Sequence, residues 1–131
     1  MFVDASAMVA ILVEESDAAA LATRLEQAAE PCTSPIAIWE AIAAVARVSN
    51  VPIRAAERIL DRFLEQATVR VVPITIAIGR SAVSAFERYG RGRHPAALNM
   101  GDCFAYACAR ELDLPLLFKG DDFPLTDITI A

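Results

Sequence analysis

Apolar residues occur along the chain in brief runs separated by longer stretches of helical period. Met1-Phe2-Val3-Asp4, Pro31-Cys32-Thr33, Val69-Arg70-Val71-Val72-Pro73 and Leu114-Pro115-Leu116-Leu117-Phe118 are short and mostly apolar, and they predict strands. A last short strand is predicted at Ile128-Thr129-Ile130. Helices are predicted over 5–13, 17–29, 35–49, 53–67, 75–89 and 100–112. Ser34-Pro35 opens the third of these cleanly, with Ser as N-cap and Pro at the first helical position. Ile59, Leu60, Phe63 and Leu64 give the fourth an apolar face, and Gly90-Arg91-Gly92-Arg93-His94-Pro95 carries the chemistry of a loop. Short apolar strands alternating with helices imply a parallel sheet covered by helices on both faces.

At 131 residues, with no repeats or linkers, residues 1–131 form a single domain with one core to build. No run approaches the ~20 apolar residues a membrane span needs. The N-terminus has no basic region, and Glu14-Glu15 close its apolar run, so a cytoplasmic protein is expected rather than a secreted one. Cys32, Cys103 and Cys108 form no CxxC pair and are read as reduced core residues. Hydrophobic residues make up 56% of the chain; alanine accounts for much of the excess, and the rest marks surface that a partner would cover. A net charge of −5 argues against coating nucleic acid by bulk charge. It leaves room for a nuclease whose metal ions neutralise an acidic pocket.

The acids carry the candidate chemistry. Ligands of such sheets gather at the carboxyl ends of the strands. Asp4 ends the first strand, Glu40 lies in the helix after the second, Asp102 opens the helix before the fourth, and Asp121 and Asp122 follow it. Each has a structural alternative. Asp4 can cap a helix, and Asp102 can sit at the third position of a helix capped by Asn99. Turn aspartates are commonplace. Glu40 is the most telling, because its helical neighbours Ile36, Ala37, Ala43 and Ala44 are apolar, and a carboxylate buried there needs a cation. Arg47, seven residues on, would reach it only with both side chains extended. Several carboxylates without metal-spaced His or Cys point to Mg²⁺ or Mn²⁺ and not to zinc. His94 is read as a surface residue and Trp39 and Phe104 as core. No Walker loop, GxGxxG or Ser/His/Asp triad is present.

Four segments resemble, in order, the motifs of PIN domains of the VapC toxin type. They are Phe2-Val3-Asp4-Ala5-Ser6-Ala7, Ser34-Pro35 through Trp39-Glu40, Leu98-Asn99-Met100-Gly101-Asp102-Cys103-Phe104-Ala105-Tyr106-Ala107, and Phe118-Lys119-Gly120-Asp121-Asp122-Phe123 with Thr126-Asp127-Ile128. The resemblance implies an α/β fold, a three-layer α/β/α sandwich around a mainly parallel sheet of four or five strands. It makes Asp4, Glu40 and Asp102 the metal-binding and catalytic acids, with Asp121, or else Asp122, as a fourth. Ser6 and Asn99 would support them. It further implies a homodimer and a VapB-type antitoxin, with larger assemblies binding operator DNA through that antitoxin.

The function expected is metal-dependent hydrolysis of RNA phosphodiesters, leaving 5′-phosphate and 3′-hydroxyl ends, by the toxin of a type II toxin–antitoxin pair. Lys119, Arg91 and Arg93, with Arg88, are candidates for steering the RNA backbone, against the alternative of a solvated loop. A non-catalytic PIN-like module that binds RNA or an antitoxin is the main competing function. An aspartate-based phosphatase would want a second acid two residues after Asp4, where this chain has Ser6.

Overall fold

Three of the four strands of this chain are buried on both faces, and their successive side chains face opposite layers. In the computed structural model, which describes residues 1–131, four two-residue strands pair in parallel in the order β3-β2-β1-β4. They are β1 (Phe2–Val3), β2 (Cys32–Thr33), β3 (Arg70–Val71) and β4 (Leu116–Leu117). Phe2, Cys32 and Leu116 point into one apolar cluster and Val3 and Leu117 into another, as the two-residue period of a strand requires. Helices α5 (Ile76–Tyr89) and α6 (Met100–Glu111) cover the first face. The second is covered by α1 (Ala5–Leu12), α2 (Ala18–Glu26), α3 (Pro35–Val48) and α4 (Ile53–Gln66). The result is a three-layer α/β/α sandwich. Buried alanines such as Ala37, Ala41, Ala82, Ala85 and Ala105 keep the helices close to the sheet and to one another.

The strands are shorter than the apolar runs, although backbone bonding continues one residue beyond them. Cys32 N–H donates to Met1 O (2.9 Å), Asp4 N–H to Leu117 O (2.9 Å) and Val72 N–H to Thr33 O (2.8 Å). The strand expected at 128–130 is reduced to a single parallel bridge between Ile130 and Leu116. Thr33 is fully buried and satisfied, its hydroxyl donating to Val3 O at 2.8 Å. Arg70 and Pro73 border the exposed edge of β3, where a charge and a missing donor discourage further pairing. Helix α2 stops at Glu26, short of the expected Ala29, with Gln27 as its C-cap. Cys32, Cys103 and Cys108 are free and buried. No helix is long and apolar enough to cross a membrane.

Two expectations are corrected. Trp39 is not core: it is 69% exposed on the outer face of α3. Phe104 is half-buried and packs against the α5–α6 cluster. His94 is not simply a surface residue. It is half-buried, lies edge-on to Tyr89 at 5.2 Å between ring centroids, and accepts the Ala96 N–H on Nδ1 at 3.1 Å. It staples its own loop.

A polar clasp fastens the C-terminal segment. Tyr106 donates its hydroxyl proton to Asp127, and Arg88 donates to the other carboxylate oxygen at 3.1 Å while lying 4.8 Å from the Tyr89 ring centroid. The hydrogen bond from Tyr106, followed by the Arg88 contact, lowers the Asp127 pKa from 3.8 to about 2. A depressed carboxylate pKa contributes stability that is complete above the unfolded value near 3.8 and is lost as pH falls through about 2. Asp127→Asn is therefore expected to lower stability by about 1 kcal/mol at pH 7, solvent screening allowed for. The deficit should shrink below pH 3, as urea melts of both proteins at the two pH values would show.

Candidate active site

The carboxyl end of the sheet is where the chain turns from β1 into α1, and Asp4 occupies that turn. It caps α1, accepting the Ser6 N–H at 2.9 Å and the Ser6 hydroxyl proton on Oδ2, and is 4% exposed. Ser6 Oγ in turn accepts the Lys119 N–H at 3.0 Å, which ties the end of β1 to the end of β4. Burial raises the Asp4 pKa, and the Ser6 hydrogen bonds oppose that shift only in part.

Helix α3 begins directly after β2, with Ser34 accepting the Ala37 N–H at 3.2 Å, and brings Glu40 to the same place. The Glu40 carboxylate rests against the backbone of α6 at Gly101. A Cβ at that position would fall 2.0 Å from Oε1 and 2.1 Å from Oε2. Arg47 does not answer Glu40, because no ion pair of the chain involves either residue. Asp102 forms a full capping box with Asn99. Its Oδ2 accepts the Asn99 N–H at 2.8 Å, and Asn99 Oδ1 accepts the Asp102 N–H at 3.0 Å. For Asp4 and Asp102, capping and site-building therefore coexist.

Asp4, Glu40 and Asp102, with Ser6, Asn99, Glu15 and Lys119, line one open cleft of about 410 Å³. A hollow of about 560 Å³ lined by Ile11, Leu25 and Phe63 is larger, but Glu26 is its only titratable group. The chemistry gathers in the smaller one. Burial, and then the charges of Asp4 and Asp102, push Glu40 up to about 7. Burial likewise raises Asp102 to about 6, with Asp4 and Asp122 adding to the shift while the Asn99 N–H and Arg91 oppose it. The acids are close enough to repel one another, yet no three His, Cys, Asp or Glu side chains converge as a ready ligand set. The cleft holds acids in want of positive charge.

The two turn aspartates part company. Asp122 is near enough to raise the Asp102 pKa, whereas Asp121 lines an adjoining groove with Asp17, Arg24 and Pro124, which shares Lys119 and Gly120 with the acidic cleft. Gly120, at φ 118°, turns the chain just before both. Neither Asp121 nor Asp122 lines the cleft of the other three acids, and of the two only Asp122 contributes to the Asp102 shift. The basic candidates also separate. Arg88 is bound to Asp127, Arg93 lies over Phe86 at 5.3 Å, and Lys119 is paired with Glu15 and Asp17. Arg91 remains exposed, without a carboxylate partner, on the side of Asp102. Glu15 and Asp17 were not among the expected site residues. They read as solvated turn residues, and only the tertiary fold brings them to Lys119.

A family model described as PIN domain matches residues 1–128. The chain belongs to the PIN-domain family. Its relatives place this PIN domain among the VapC proteins. It is 40% identical to a VapC ribonuclease of Rhizobium meliloti, covering 97% of this chain and 98% of that protein. It is also 40% identical to ribonuclease VapC42 of Mycobacterium tuberculosis, over 100% of this chain and 98% of that protein. Among solved structures, M. tuberculosis VapC20, a toxin that cleaves the sarcin–ricin loop, superposes on this PIN domain with a TM-score of 0.78. That match covers 99% of this chain and 97% of the other at 18% identity, and so bears on the fold. A toxin–antitoxin complex from Klebsiella pneumoniae matches with a TM-score of 0.65 at 16% identity, covering 88% of this chain and 82% of that one.

Proposed function

We propose that this PIN domain is a divalent-metal-dependent ribonuclease, an endonuclease acting as the toxin of a type II toxin–antitoxin pair. The observation that carries this reading is that Asp4, Glu40 and Asp102, from three separate elements, line one cleft with no salt-bridge partner. The donors suit a hard cation. They are carboxylate oxygens, His94 is committed to its own loop, and Cys103 is buried in the core. Asp4, Glu40 and Asp102 would hold Mg²⁺, or Mn²⁺ in its place, with Asp122 as an outer acid. When bound, such an ion supplies Lewis acidity toward water and the scissile phosphate.

The remaining work falls to the chain itself. Ser6 fixes the orientation of Asp4 by its paired hydrogen bonds, and Asn99 does the same for Asp102. Arg91, free of other partners, is placed to take an RNA phosphate at the rim. A VapB-type antitoxin and a second copy of the chain are the proposed protein partners. The exposed Ile76, Val83 and Met100 supply apolar surface for such contacts.

The test is cleavage of end-labelled RNA by the purified chain over a Mn²⁺ and Mg²⁺ titration. Endonucleolytic products with 5′-phosphate ends are expected, with cleavage abolished by EDTA and reduced about a hundredfold or more by Asp102→Asn. Intact RNA at all metal concentrations, with the fold preserved, would leave only a binding module.

A further inference from the structure

Lys119 is the single lysine of the chain, and it lines the same cleft as Asp4, Glu40 and Asp102. Its backbone lies two hydrogen bonds from Asp4, through Lys119 N–H to Ser6 Oγ at 3.0 Å and the Ser6 hydroxyl to Asp4. An ammonium on a flexible four-carbon stem, tethered so near unpaired carboxylates, would be drawn among them as their counter-ion. None of the three acids is its ion-pair partner. Its Nζ is hydrogen-bonded to Glu15 and lies 3.2 Å from Asp17 Oδ1, an ion pair without hydrogen-bond geometry, with both carboxylates on the turn between α1 and α2. Two features of that turn fit this arrangement. Glu14 takes a left-handed φ of 56°, which folds the chain back at the end of α1. Asp17 occupies the N-cap position of α2, yet its side chain makes no capping hydrogen bond. Its carboxylate is turned to Lys119 instead of the helix it begins.

We propose that Glu15 and Asp17 are positioning residues that hold Lys119 off the acid cluster, so that the counter-ion's place stays open to a divalent cation. The inference rests on reading the cleft as a metal site. The three side chains are each about one-third to two-fifths exposed (Lys119 32%, Glu15 35%, Asp17 41%). Single ion pairs in such surroundings are weak, and two partners are needed to outweigh the pull of the cluster.

The test is Mn²⁺ binding by calorimetry to the unsubstituted chain and to the E15Q/D17N, K119M and E15Q/D17N/K119M variants, each first shown to be folded by its thermal melt. E15Q/D17N is expected to bind Mn²⁺ about tenfold more weakly, and the added K119M change should restore affinity to within about twofold of K119M alone. K119M alone should change affinity by less than about twofold, because the ammonium is already held away. With one lysine, ¹⁵N-lysine labelling gives one ammonium signal. Mg²⁺ is expected to shift it strongly in E15Q/D17N, where the ion must expel the ammonium, and little in the unsubstituted chain. Undiminished binding by E15Q/D17N, weak binding that K119M does not restore, or equal gains from K119M in both backgrounds would each overturn the proposal while leaving the metal site standing. Failure of the unsubstituted chain to bind Mn²⁺ would overturn the metal-site reading and this inference with it.

Discussion

Glu40→Gln is expected to make the metal-free protein more stable while abolishing RNA cleavage. The two effects have one cause. Glu40 is half-buried beside Asp4 and Asp102 with no cationic partner, and burial together with those charges pushes its pKa from 4.5 to about 7. An acid whose pKa is raised on folding costs nothing below its unfolded value. It destabilises progressively as pH rises toward the folded value, and the full cost is present above that. For Glu40 this window runs from 4.5 to about 7, and for Asp102 from 3.8 to about 6. The apo protein should therefore be more stable near pH 5 than near pH 8, other groups aside. Glutamine keeps the size of the side chain and removes the charge. A gain of about 1–3 kcal/mol above pH 7 follows, since a tenfold displacement of a protonation equilibrium corresponds to about 1.4 kcal/mol. The gain should vanish near pH 4.5. Thermal melts in EDTA at both ends of the range decide the matter. A variant no more stable than the parent at pH 8 would mean that Glu40 is already compensated. In cleavage assays the same variant should lose about a hundredfold or more, as expected when a charged group of a preorganised site is removed.

The same conflict between charge and stability made Glu40 legible in the sequence. An acid within an apolar, small-residue stripe has no structural reason to be there, and the fold supplies none. Asp4 and Asp102 were legible only in part, because each also serves as a cap or capping-box acid, and no single position separates those roles. The layered fold followed from the alternation of short apolar strands with helices. The ends of the strands did not, because pairing depends on neighbours distant in the chain. Trp39 was legible in principle. Helix α3 buries Ala37, Ala41 and Val45, and at about 100° per residue a side chain two positions from Ala37 and Ala41 faces the opposite way. The helical period outweighs the general preference of aromatics for the interior. The choice between Asp121 and Asp122 was not legible, because adjacent turn aspartates are interchangeable by residue type and neither follows a helical or strand period. The partners of Lys119 lie more than 100 residues away and needed the fold itself.

Gly101→Ala is expected to reduce cleavage by about tenfold to a hundredfold at undiminished stability. Gly101 is the second residue of α6, between Met100 and the capping acid Asp102, and it has no left-handed backbone that would demand glycine. What it provides is space. A Cβ there would lie 2.0 Å from Glu40 Oε1 and 2.3 Å from its carboxyl carbon, so the methyl group and the carboxylate cannot share the place. Helix α6 is fixed by its capping box and by the buried Cys103, Ala105 and Tyr106, whereas the Glu40 carboxylate ends a flexible side chain. The side chain will move. Alanine is the better helix former by up to about 1 kcal/mol in a helix interior, so the melting temperature should hold or rise. The displaced carboxylate should weaken Mn²⁺ binding along with activity. A second change separates this from general damage: Glu40→Asp, one methylene shorter, should be harmful alone yet recover part of the loss when combined with Gly101→Ala, because the retracted carboxylate no longer meets the new methyl group. If Gly101→Ala cleaves RNA normally, the close approach of Glu40 to α6 has no part in the reaction. If it loses activity and stability together, the helix has yielded instead of the side chain.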